Sequence, residues 1–104
     1  MTGHLIQILL PIHFCDGTDV PADMFSQVRA ELTEAFGGVT AYTRSPATGS
    51  WKRTEDDIER DQVIMIEVVS EIFDREWWQR YREGLEQRFG QEEVHARALA
   101  IERI

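Results

Sequence analysis

The chain has 104 residues, is 42% hydrophobic and 29% charged, and carries 11 Lys and Arg against 19 Asp and Glu, for a formal net charge of -8. That is enough for a single domain, 1–104, with one modest core. It contains no basic run, so it lacks the clustered cations that a phosphate backbone rewards, and nucleic acid is not an expected partner.

Cys15 is the one cysteine, so no internal disulfide can form, which suits a reducing compartment. The opening MTGHLIQILLPI lacks a basic leader and a small-residue cleavage site, and reads as a strand rather than a signal peptide. No run is long enough to cross a bilayer. The expectation is a cytoplasmic protein with no membrane partner.

His4–Ile12 is the first strand. Ile6, Ile8 and Leu10 share one face, and Leu5, Gln7 and Leu9 the other. Two largely apolar faces mark a central strand, and Pro11 ends its regular pairing. The loop that follows holds His13, Cys15 and Asp16. All are metal-ligand types, but a tight site needs ligands from elsewhere, and only His4 and His95 offer another imidazole. No metal and no cofactor is predicted.

Pro21–Phe36 is a helix with a stripe of Phe25, Val28, Leu32, Ala35 and Phe36, stopped by Gly37-Gly38. Val39–Arg44 is a short, more polar edge strand. Residues 46–61 begin with the turn formers SPATGS and read as a long loop, an extended hairpin or a flap carrying Trp51.

Gln62–Glu71, QVIMIEVVSE, is the best strand in the chain. Ile64, Ile66 and Val68 form a purely apolar face; Val63, Met65, Glu67 and Val69 form the other. A carboxylate on a central strand is costly unless solvated or paired, which singles out Glu67. Phe73–Phe89 is the second helix, capped by Asp74, with Trp78, Tyr81, Leu85 and Phe89 as its buried stripe. Trp77 and Trp78 are adjacent, so only one of them points fully inward. Glu93–Ile101 is the last strand. It places Val94, Ala96, Ala98 and Ala100 on one side, small enough to let a helix sit close, and His95, Arg97, Leu99 and Ile101 on the other.

The order strand, helix, strand, strand, helix, strand predicts an α+β, ferredoxin-like β-α-β-β-α-β sandwich, with sheet order 4-1-3-2 and both helices on one face. The opposite face is then mostly apolar around Gln7, Glu67, His95 and Arg97, with the second strand adding either Tyr42 and Arg44 or Thr43. A monomer should not leave that much apolar sheet wet, so a homo-oligomer, with a dimer favoured, is expected.

The segments Phe36-Gly37-Gly38-Val39-Thr40, Gly49-Ser50-Trp51 and Val63–Val69 resemble an uncharacterised bacterial family of small ferredoxin-like proteins, similar in architecture to dimeric α+β barrels. That wider group includes small oxygenases, lactone isomerases and heme-handling enzymes. The resemblance implies a fold and leaves the activity open.

The main functional expectation is a homo-oligomeric small-ligand-binding or scaffold protein that uses the open sheet face. One alternative is a small cofactor-independent enzyme of isomerase or oxygenase type. In it, Glu67 or His95 accepts a proton, Arg97 or Arg44 holds an anionic group, and Tyr42 or Trp51 stacks on an apolar substrate, with Gln7 beside them. A third reading is a protein-interaction module built on the acidic run Glu55–Asp61. The expected small partner is an apolar or anionic molecule.

Overall fold

In a computed structural model, the backbone is described for residues 2–54 and 57–104, and side chains for 2–40 and 63–104. The elements are β1 (Thr2–Pro11), α1 (Ala22–Phe36), β2 (Thr40–Thr54), β3 (Asp57–Ser70), α2 (Arg75–Arg88) and β4 (His95–Glu102). The strands form one antiparallel sheet in the order β2-β3-β1-β4, which makes β1 and β3 central and leaves β2 and β4 as edges.

Register explains the centre. Ile6, Ile8 and Leu10 of β1 lie opposite Val68, Ile66 and Ile64 of β3. These six side chains are between 0 and 7% exposed. They meet Phe25, Val28 and Leu32 of α1 and Trp78 and Leu85 of α2, with Phe89 just beyond it, in one core, so both helices pack on the same sheet face. Each such side chain contributes about 1.5–3 kcal/mol on full burial.

The helices are also joined to each other. The rings of Phe36 and Trp78 stack at 4.9 Å, and Phe25 meets Phe89 at 5.7 Å. Trp78 is the buried member of the tryptophan pair, while Trp77 lies partly buried against Phe36 and Tyr81. The Tyr81 hydroxyl donates to Glu31 Oε1 at 2.8 Å, and Arg88 Nη2 lies 2.9 Å from the same oxygen. Asp74 caps α2 by accepting from the Trp77 backbone N–H.

Burial of the ring, then the bond to Glu31 and the charge of Glu31, push the Tyr81 phenol far above its ordinary value near 10, against a smaller opposing pull from Arg88. The fold therefore retains a proton that the unfolded chain releases. The associated stability is complete below about pH 10 and is lost as pH rises beyond it. In an alkaline titration followed by tyrosinate absorbance, Tyr81 is expected to ionise only as the protein unfolds. Tyr81→Phe should flatten the stability slope above pH 10. Both tyrosines ionising near pH 10 in a folded chain would contradict the Tyr81–Glu31 contact.

The β2–β3 hairpin corrects the expected compact ferredoxin-like sandwich with a short second strand and a loop over 46–61. β2 runs on through the turn formers to Thr54, and β3 begins at Asp57. The ladder absorbs the unsuitable residues in irregularities. Between the pairs Tyr42↔Met65 and Ala47↔Val63, Thr43 to Pro46 lie opposite Ile64 alone. Pro46, which cannot donate a ladder bond, falls inside that bulge. β1 pairs with β3 only over 63–70, so the outer part of the hairpin is a two-stranded arm beyond the sheet. The radius of gyration, 14.4 Å, exceeds the roughly 13 Å usual for a compact domain of this length. The sheet is open, with two free edges, and does not close into a barrel.

The remaining strand expectation to change concerns β4. Ala98 and Ala100 lie on the helix-facing side, opposite Ile6 and His4, yet both are exposed. α2 does not close down over them.

Candidate functional site

The face of the sheet away from the helices is ordered in rows by register. The middle row is Glu67 on β3, Gln7 on β1 and Arg97 on β4. On one side of it lie Met65, Leu9 and His95; on the other lie Val69, Leu5 and Leu99. Period-two alternation alone puts these residues on one face, and pairing brings the three polar ones side by side.

The middle row is bonded across all three strands. Arg97 Nε donates to Gln7 Oε1 at 2.6 Å, and Gln7 Nε2 donates to Glu67 Oε2 at 2.7 Å. The direction is chemically forced. A guanidinium can only donate, so it takes the amide oxygen of Gln7, and the amide NH2 is left facing Glu67. Glu67 thus receives a donor from a side chain whose orientation is set by a permanent cation. Gln7 and Glu67 are half-buried, and Arg97 is exposed at the β4 edge.

A cleft of about 430 Å³ opens beside this row. It is lined by Leu5, Glu67 and Val69 of the sheet, by Arg103 after β4, and by the turn Phe36–Thr40. The turn reaches this position because Gly37 takes a left-handed conformation (φ 83°), ending α1 with its N–H bonded to the Thr33 carbonyl. A side chain at Gly37 would be strained there. The cleft therefore carries one carboxylate and one guanidinium among apolar and backbone groups. Arg103 and the Phe36–Thr40 turn were not identified from sequence as site residues. The position of Arg103, two residues beyond outward-facing Ile101, is the alternation signal that points to it.

Of the other candidates, His95 is exposed, opposite Leu9, two residues from Arg97 and outside the bonded row. Tyr42 is in register with Met65, beside the row, while Arg44 falls in the β2 bulge. Trp51 pairs with Glu59 on the arm. Eight residues of strand separate Glu59 from Glu67, about 26 Å at the usual rise, so the Trp51 backbone is remote from the cleft. The side chains of Tyr42, Arg44 and Trp51 lie outside the described residues, as do those of the acidic run Glu55–Asp61.

The loop residues His13, Cys15 and Asp16 diverge. His13 Nε2 lies 3.2 Å from Asp19, and Cys15 Sγ donates to the Gly90 carbonyl at 3.1 Å. Asp16 accepts from the Thr18 hydroxyl and N–H, and that hydroxyl is the main cause of its lowered pKa. Among the described residues, no group of three or more His, Cys, Asp or Glu is placed to hold a metal ion. No helix among them is long and apolar enough to cross a membrane.

No family model and no curated protein matches the chain. One solved structure is similar to it, a phage SAM lyase in complex with S-methyl-5'-thioadenosine. The match has a TM-score of 0.60 and 12% sequence identity, and covers 97% of this chain and 90% of that one. At that identity the likeness is one of fold. Together with the open sheet, these results overturn the resemblance to a bacterial family of barrel-like proteins. The short motifs at 36–40 and 49–51 are accounted for locally: the first is a helix-ending turn and the second lies within the strand of the arm.

Proposed function

We propose that the chain is a small cofactor-independent enzyme acting on a sulfonium or thioether nucleoside such as S-adenosylmethionine. Its site is the cleft beside Glu67 on the open sheet face. The observation that carries this is the Arg97–Gln7–Glu67 row, which holds a carboxylate in a set direction at the wall of a cleft of ligand size. The likeness to a SAM lyase fold supports the substrate class. So does charge: an acidic chain attracts a sulfonium cation. The guanidinium of Arg103 suits the carboxylate of an amino-acid moiety.

The chemistry this arrangement serves is elimination. Glu67 takes a proton from the carbon next to the one bearing sulfur. The C–H electron pair becomes a carbon–carbon double bond, the C–S bond breaks, and its pair stays on sulfur. A sulfonium gives a neutral thioether and an alkene, with no oxidant or reductant required. Gln7, held by Arg97, positions the carboxylate. The test is incubation with S-adenosylmethionine and chromatography for methylthioadenosine. Release well above a protein-free control is expected; release at the control rate would contradict the proposal.

A self-associating ligand-binding protein is the second reading. It is favoured by Val69 and Leu99, each 44% exposed on the same face. The two readings are compatible if a second copy roofs the cleft. Leu99→Glu adds a charge at an already exposed site, so it should spare the fold and lower the solution mass to that of one chain. A wild-type chain that is monomeric at high concentration would remove this face as an interface.

A further inference from the structure

We infer that a second cleft, between α2 and β4 on the helix side of the sheet, is a binding site for a small organic anion with an aromatic or apolar body. Its volume is about 310 Å³, at the lower end of the range for small-molecule sites. It exists because the inward positions of β4 are Ala96 and Ala98, too small to fill the space beneath α2. Ile6 and Trp78, 2% and 6% exposed, supply a rigid apolar wall.

The ionisable groups at this cleft are those of Arg75 and Arg82; Arg97 lines it between Ala96 and Ala98, but its guanidinium is bonded to Gln7 on the opposite face of the sheet. Two of the chain's 11 cations thus meet at one cleft, in a protein with 19 acidic residues. Arg75 and Arg82 are seven residues apart on α2, two helical turns, and so lie along one helix face.

Their pairing is incomplete. Arg75 lies over the Phe73 ring at 5.3 Å, and among the described residues it has no carboxylate partner. Arg82 is 4.0 Å from Glu86, whose same oxygen already accepts from the Val94 N–H at 2.9 Å. Arg88 shows the contrast: it lies 2.9 Å from Glu31. A cleft with an apolar wall and under-compensated guanidinium groups at its rim is complementary to a carboxylate or phosphate joined to a ring.

The probes are phenyl phosphate and inorganic phosphate, titrated by calorimetry into the full chain. Phenyl phosphate should bind at least about tenfold tighter than inorganic phosphate, because only it uses the apolar wall. A variant with Arg75→Gln and Arg82→Gln, with unchanged thermal melting, should lose about tenfold or more of that affinity. Ala98→Leu, which fills the cleft without touching a charge, should weaken phenyl phosphate and leave inorganic phosphate unaffected. Equal binding of the two probes, or full affinity in the double arginine variant, would overturn the site. Methylthioadenosine binding at the Glu67 cleft should be the same in all these variants, so the two sites stand or fall separately.

Discussion

Glu67→Gln is expected to reduce the release of methylthioadenosine from S-adenosylmethionine by about a hundredfold or more, the ordinary contribution of a positioned base. The substitution keeps the shape of the side chain. The new amide can turn its oxygen toward Gln7 Nε2, which now lies 2.7 Å from the carboxylate. The cross-strand row is thereby conserved while the proton acceptor is lost. The melting temperature should change little, which separates loss of chemistry from loss of fold. Glu67→Asp keeps the carboxylate but withdraws it by one methylene, and an intermediate rate is expected. Wild-type turnover in the Glu67→Gln protein would remove Glu67 as the base.

The largest stability effect is expected at Ile66. Its side chain is 0% exposed, and it sits on a central strand between Ile8 of β1 and Ala41 of β2. Ile66→Ala removes apolar volume from a rigid surround and should cost about 3–4 kcal/mol. That is a large share of the roughly 5–15 kcal/mol that holds a domain of this size. In urea unfolding the midpoint should fall steeply, and in a thermal melt by about 15 °C or more. Val69→Ala, three residues along at a site 44% exposed, should stay within about 0.5 kcal/mol. A cost below about 1 kcal/mol at Ile66 would mean that β3 is not the centre of the core.

The central strands were legible because both of their faces are apolar, and burial at Ile6, Ile8, Ile64 and Ile66 follows that pattern. The helix stripes were legible because apolar residues recur at three- and four-residue spacing: Phe25, Val28, Leu32, Trp78 and Leu85 are the buried residues of α1 and α2. Period-two alternation also put Gln7, Glu67 and Arg97 on one face. It gave no means of pairing Glu67 with Gln7, as the structure does, in preference to His95, because pairing depends on the register between strands.

The β2–β3 arm was hidden by its composition. Ser45, Pro46, Gly49 and Ser50 are turn formers in isolation, but a bulge at 43–46 lets the ladder resume at Ala47. The cleft between α2 and β4 was hidden by the opposite error. Ala96 and Ala98 suggested close packing, whereas here small residues leave space that the helix does not fill. No local pattern separates those outcomes, since both depend on where α2 comes to rest.

A site on the open sheet face is tested most directly by a two-dimensional NMR titration of the ¹⁵N-labelled chain with methylthioadenosine. The largest backbone shifts are expected at Leu5, Gln7, Gly37, Gly38, Glu67, Val69 and Arg103, together with the Gln7 side-chain amide. Shifts confined to the helix side of the sheet, or no shifts at millimolar ligand, would contradict a site on the open face.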